Sequence, residues 1–273
     1  MKIEFKKIIL LVLFISYTNM YTQEKIAGKV LDRSTNTPLS YVNIGVFSKD
    51  LGTVSNGAGD FNLKIENENL KDSITFSMIG FKTRKIPVAY FNLKDTIYLD
   101  EESIELEEIF ISNKKGKSKI LGNKKPKLFF ASISFKKIEA GNELGIKIKV
   151  KKNTDVNKFN LLLVKNDYPN LKLRLNFYNL KDNKPYERIN SENIIFETSI
   201  EKGVLSIDLT DYNITLNEDF FVSIESLNKL DDENKQIIVA GRVLGKSYGR
   251  KTSQGSWTKI KIGFCLSLDV LQY

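Results

Sequence analysis

The chain has 273 residues, enough for one large core or two small ones. Hydrophobic residues make up 41% and charged residues 27%, a balance that excludes a disordered chain. The formal charge is +9 and there is no histidine, which excludes Ser-His-Asp and Cys-His nucleophilic catalysis, histidine general bases and the usual zinc sites.

The N-terminus carries Lys2, Lys6 and Lys7, then the apolar run Ile8 to Ile15, then a polar exit from Ser16 to Thr22. Basic end, short apolar core and polar exit are the order of a secretory signal, and the run falls well short of the ~20 apolar residues of a membrane span. Residues 1–22 are therefore expected to be a signal peptide, and the mature protein to be exported, either periplasmic, outer-membrane associated or secreted. With Cys265 the only cysteine, no internal disulfide can form. Its apolar flanks from Ile262 to Leu268 predict a buried thiol.

From Lys25 to Phe61 the pattern is strand, turn, strand, glycine-marked loop, strand. Val42, Ile44 and Val46 alternate with polar or small residues, and DRSTNTP at Asp32 to Pro38 is dense in turn formers. Gly52, Gly57 and Gly59 mark positions needing positive φ or close backbone approach. Phe61 to Ile65, Ser73 to Ile79, Asp95 to Leu99 and Ile104 to Ile111 continue the strands, and Pro87 marks an edge. Strands this short at this spacing predict an antiparallel sandwich.

Gly28, Val30, Asp32, Pro38, Leu39, Val42, Asn43, Gly52, Thr53, Asn56, Gly59, Phe61 and the FSMIGFKT segment at Phe76 to Thr83 resemble the carboxypeptidase-like regulatory domain. Members of that family usually carry Asp where Asn56 stands and often Tyr where Phe81 stands. The resemblance covers residues 23–111. It implies a transthyretin-like seven-stranded sandwich that sits in front of other domains, and it implies no peptidase activity.

Asp100 to Glu108 is acidic, and the following segment, residues 112–127, holds seven lysines and no acid. It is expected to be an extended, solvated linker. Since the excess charge sits largely there and no basic face with interleaved aromatics is evident, nucleic acid is not expected as a partner. ELEEIFIS also resembles the segment that joins such a domain to the plug of TonB-dependent receptors. A receptor barrel needs ~22 strands, which the rest of the chain cannot supply. A partner that pairs with this strand through Glu105, Glu107 and Glu108 stays open, as would suit an accessory of TonB-dependent uptake at the outer membrane.

Residues 128–273 resume the strand pattern with no capped helical periodicity, and predict a second, jelly-roll-like β-sandwich. The fold class is therefore all-β. LRLNFYNLKDNKPYE and the stretch from Gly203 to Leu227 resemble a second module found behind the regulatory domain in exported proteins of uncharacterised role.

Chemistry is sparse. Asp208 with Asp211, or Asp219 with Glu225, could serve a carboxylate-dependent glycoside hydrolase, although strand-end turns explain them as well. Asp231, Asp232 and Glu233 match no calcium loop. No metal or cofactor motif is present. The remaining surface is YGRKTSQGSW, where Tyr248, Arg250 and Trp257 could stack and hydrogen-bond a sugar or peptide; Trp257 could equally start the last strand inside the core. Tyr168, Tyr178 and Tyr186 are inward aromatics or a surface platform. The expected function is a non-catalytic binding or interaction module for a glycan or an envelope protein.

Overall fold

The computed structural model describes residues 24–91, 95–102, 115–126 and 130–273. The expected signal peptide and Glu105, Glu107 and Glu108 lie outside the described residues. The chain is built of strands, and no described helix is long and apolar enough to cross a membrane.

Among the described residues, seven strands make the first unit: β1 (Glu24–Asp32), β2 (Asn43–Val46), β3 (Gly52–Val54), β4 (Asp60–Ile65), β5 (Ser73–Ser77), β6 (Arg84–Pro87) and β7 (Asp95–Leu99). They form two sheets, ordered β4-β1-β7 and β3-β2-β5-β6. β1 runs antiparallel to β4 and parallel to β7. In β4 the strict alternation sends Phe61, Leu63 and Ile65 inward, where they meet Val30, Val42, Ile44, Ile74 and Phe76 in one core. Phe61 packs edge-on to Phe76, with ring centroids 5.5 Å apart. Pro87 closes the edge strand β6, where its missing N–H breaks no inner ladder.

Among the described residues, thirteen strands make the second unit. The first six are β8 (Lys117–Gly122), β9 (Phe130–Phe135), β10 (Glu143–Ile148), β11 (Thr154–Asn166), β12 (Leu171–Lys181) and β13 (Lys184–Arg188). The others are β14 (Ile194–Thr198), β15 (Gly203–Asp208), β16 (Thr215–Leu216), β17 (Phe220–Ser226), β18 (Ile237–Arg250), β19 (Thr258–Phe264) and β20 (Leu266–Gln272). Their main path is β13-β12-β17-β10-β18-β11-β20-β8. The long strand β18 joins the two sides. Its first half pairs with β9 and β11, its end with β10, and its register with β19 shifts between Val243 and Ser247. A bulge at such a point lets one strand serve two layers. Residues from β10, β12 and β17 meet residues from β11 and β20 in a single core.

Two expectations need correction. The lysine-rich segment 112–127 is not linker throughout: residues 117–122 form β8, antiparallel to β20 at the sheet edge. Alternating lysines are compatible with an edge strand because their ammonium groups stay in water while the backbone pairs. The strand that Trp257 precedes is not the last: β19 runs from Thr258 to Phe264, and β20 follows after a break at Cys265, whose N–H donates to the Ala240 carbonyl at 2.8 Å. Cys265 itself is buried and free, and burial pushes its thiol pKa up.

Candidate functional site

Period-two alternation gives the sheet β12-β17-β10-β18 two different faces. Leu173, Leu175 and Phe177 of β12, Val222 and Ile224 of β17, and Ile146 and Ile148 of β10 enter the core. The opposite face carries Arg174, Asn176 and Tyr178, then Phe221, Ser223 and Glu225, then Glu143, then Tyr248 and Arg250. Cross-strand register sets Arg174 opposite Glu225, Glu225 opposite Glu143, and Glu143 opposite Arg250. The result is a ladder of cation, anion, anion, cation across four adjacent strands.

Two carboxylates side by side repel, and each has a guanidinium on its outer flank. Glu225 accepts from Arg174 Nε at 3.0 Å and Nη2 at 2.8 Å. Glu143 accepts from Arg250 Nε at 2.8 Å. Asn176 Nδ2 bridges the pair, at 2.9 Å from each carboxylate. The Tyr178 hydroxyl donates to Glu143 at 2.9 Å and accepts from Arg250 at 3.1 Å and Arg188 at 3.3 Å. Burial works to raise the Glu225 pKa, but Arg174, then Arg188 and Arg250, outweigh it and lower the pKa to about 2. Burial dominates at Tyr178 and pushes its phenol up to about 12. At Arg250 desolvation is outweighed by Glu143 and its neighbours, so its pKa rises.

The first sandwich roofs one end of the ladder. Arg174 Nη1 donates to the Tyr41 carbonyl at 2.7 Å, and Nη2 to the Asn43 side-chain oxygen. Lys172 Nζ reaches the Tyr41 hydroxyl at 2.9 Å. A second seam is made by the loop between β18 and β19. The Ser48 N–H donates to the Gln254 carbonyl at 2.9 Å, Ser256 Oγ to the Ser48 carbonyl at 2.7 Å, and Gln254 Nε2 to Ser77 Oγ at 2.8 Å. Here the loop glycine Gly52 acquires a reason: a Cβ on it would stand 2.0 Å from the Ser253 carbonyl oxygen. Gly59 serves turn geometry instead, with φ +78°.

At its other end the ladder opens into a cleft of about 680 Å³ between the two sandwiches. Tyr178, Arg188, Arg250 and Trp257 line it from the second unit, and Phe47, Met78 and Phe81 from the first. Trp257 is half-buried, held edge-on by Phe221 at 5.0 Å and Tyr178 at 5.7 Å, with the Arg250 guanidinium 4.9 Å from its ring centroid. The hairpin β12–β13 adds the far wall. Its two-residue turn, Asp182 and Asn183, has φ of 51° and 59°, the geometry whose twist matches paired strands. It presents Tyr186, 51% exposed, opposite in chain origin to Phe47, 68% exposed.

Of the residues singled out in sequence, Trp257 and Arg250 therefore come together at the cleft. Tyr248 does not: it packs against Phe221 at 6.0 Å and lines a separate recess with Lys147 and Arg242. The three tyrosines divide, with Tyr168 and Tyr178 buried and Tyr186 a surface platform. The carboxylate pairs considered for hydrolysis are apart in role. Asp208 accepts from the N–H and hydroxyl of Thr210. Asp219 accepts from the Val150 N–H and pairs with Lys147, while Glu225 lies in the ladder. Sequence reasoning missed Phe47, Arg188 and the ladder; an arginine or glutamate inside otherwise apolar strands, as in LKLRLNF and FFVSIES, was the signal.

Residues 26–111 match the family model of the CarboxypepD_reg-like domain. No curated protein matches the chain. Among solved structures, it is similar to the cysteine protease and lectin-like domains of Cwp84, a surface layer associated protein of Clostridium difficile. That likeness has 10% identity and a TM-score of 0.41, and it covers 93% of this chain and 59% of that one. The chain thus spans less than two thirds of that structure. It is also similar to carbohydrate-binding modules from the β-sandwich superfamily, at 9% identity and a TM-score of 0.16, covering 92% of each chain. Likenesses at these scores carry no functional argument.

Proposed function

Taking residues 26–111 as a CarboxypepD_reg-like domain, we propose that the chain is a non-catalytic, exported envelope protein that holds a saccharide between its two sandwiches. One observation carries this reading: each sandwich offers an exposed aromatic ring, Phe47 and Tyr186, to the same cleft, whose floor bears the half-buried Trp257. Aromatic faces pack on the apolar faces of sugar rings, and the bordering guanidinium, Asn190 and Gln254 groups supply hydrogen bonds to hydroxyls. The non-catalytic reading is supported by the absence of histidine and by carboxylates committed to arginines rather than poised for proton transfer. Export is supported by the pattern of residues 1–22.

The test is a glycan array on the mature chain, followed by calorimetry on its hits with the parent protein and Trp257→Ala. Binding of an oligosaccharide that weakens at least tenfold in the variant is the expected result. An array without hits, or turnover of a bound glycan, would overturn the proposal.

A further inference from the structure

The ladder's charges do not balance. Among the described residues, the buried cluster beneath the cleft holds three guanidiniums, Arg174, Arg188 and Arg250, and two carboxylates, Glu143 and Glu225. Arg174 and Arg250 each have a carboxylate within hydrogen-bond distance. Arg188 has none: its Nη2 stands 3.6 Å from Glu225, beyond a hydrogen bond, and its one hydrogen-bond partner is the neutral Tyr178 hydroxyl at 3.3 Å. Its buried Nε has no partner. The side chain is 14% exposed and lies on the cleft wall. A surplus buried cation is costly unless a counter-charge reaches it.

The cleft lets one in. Arg188 stands opposite Tyr178, but the register of β13 on β12 then shifts, so that Lys184 stands opposite Lys181 and the Tyr186 ring lies 4.7 Å from the Lys181 ammonium, on the other face of the hairpin from Arg188. All three line the cleft. A saccharide in the cleft therefore meets two cations, Arg188 on one wall and Lys184 at the rim of the hairpin. The two acids on the cleft border do not cancel them. Glu187 is turned toward Asn179, whose Nδ2 donates to it at 3.5 Å, and Glu102 lies on the first sandwich.

Building on the saccharide reading, we propose that the cleft selects acidic sugars, with the carboxylate of a uronic acid residue docking on Arg188. A carboxylate fits the planar donor fork of a guanidinium, and the pyranose carrying it can lie against Trp257, which lines the same cleft. Lys184, on the exposed turn, steers the anion and holds a second carboxylate when the saccharide has one.

The experiment is calorimetric titration of the mature chain with oligogalacturonate, oligomannuronate and oligoglucuronate, each beside its methyl ester. The ester keeps the ring and removes the charge. The expected result is that at least one acid form binds tenfold or more tighter than its ester, that the preference disappears in Arg188→Gln, and that it shrinks in Lys184→Gln. Lys184 is exposed, so its variant guards against a folding defect in Arg188→Gln, which thermal unfolding also monitors. Equal binding of acid and ester, or binding of neutral glycans alone, overturns the selection for acids while leaving the saccharide reading intact. Sulfated saccharides binding as tightly as uronates overturn the carboxylate assignment. Failure of every saccharide overturns both readings.

Discussion

Arg174 donates to the main-chain carbonyl of Tyr41 across the boundary between the two sandwiches, at 2.7 Å, while its other donors hold Glu225. Tyr41 has a φ of 61°, the left-handed region that non-glycine residues seldom adopt. One guanidinium thus neutralises a buried acid in the second unit and fixes an unusual backbone turn in the first. Arg174→Met should destabilise the protein by about 3–5 kcal/mol, since it strands the buried Glu225. The double variant Arg174→Met with Glu225→Gln should recover part of that loss. Urea unfolding of the three proteins measures the difference, and equal midpoints for the parent and the single variant would count against the ladder.

Gly52 opens β3 and Gly57 lies in the turn that follows it, and the two face different surroundings. A Cβ at Gly52 would strike the Ser253 carbonyl, whereas at Gly57 its nearest neighbour is the Tyr41 hydroxyl at 3.7 Å. Gly52→Ala should therefore cost about 1–3 kcal/mol through displaced backbone, and Gly57→Ala close to nothing. Thermal unfolding checks the pair. Limited proteolysis should find the loop at residues 251–256 newly exposed in Gly52→Ala.

Stability should fall in acid through the ladder. Arg174, Arg188 and Arg250 lower the folded Glu225 pKa to about 2, against 4.5 for an ordinary glutamate. Its folded pKa is depressed, so its contribution is fully present above about 4.5 and disappears as pH falls through about 2. Chemical unfolding between pH 6 and pH 2 should show this fall. In Glu225→Gln the slope over that window should be shallower, because the titrating group has gone.

Phe47 and Tyr186 are exposed, so neither should matter to folding, and both should matter to the cleft. Phe47→Ala and Tyr186→Ala should unfold close to the parent temperature. Each should weaken saccharide binding about three- to tenfold, the equivalent of ~0.5–1.5 kcal/mol for an aromatic contact. Trp257 is the single tryptophan, so its emission should shift when a ligand fills the cleft and stay unchanged in titrations where none binds.

Much of the first sandwich could be read from the chain because its signals are local. Turn residues at Asp32 to Pro38, the alternation of Phe61, Leu63 and Ile65, and Gly59 each act within a few residues of themselves. The second unit was legible as strands but not as a site. Hydrophobic alternation marks one buried face, and β12 and β17 are buried on both. The partner of Arg174 lies 51 residues away on another strand, and its roof, Tyr41 and Asn43, belongs to the other sandwich. Lys117 to Gly122 read as linker because charge masks an edge strand whose pairing depends on the distant β20. Tyr248 and Trp257 were grouped by proximity in sequence, yet strand geometry sends them to different surroundings.

The placing of β20 has a consequence for how the molecule comes into being. That strand lies between β11 and β8, with Leu268 and Val270 fully inside the core. A chain emerging from its N-terminus cannot close the larger sheet until Leu266 to Gln272 have arrived, and β8, made early, waits unpaired beside the finished first sandwich. Acquisition of the second unit is thereby postponed until β20 has emerged, long after β8.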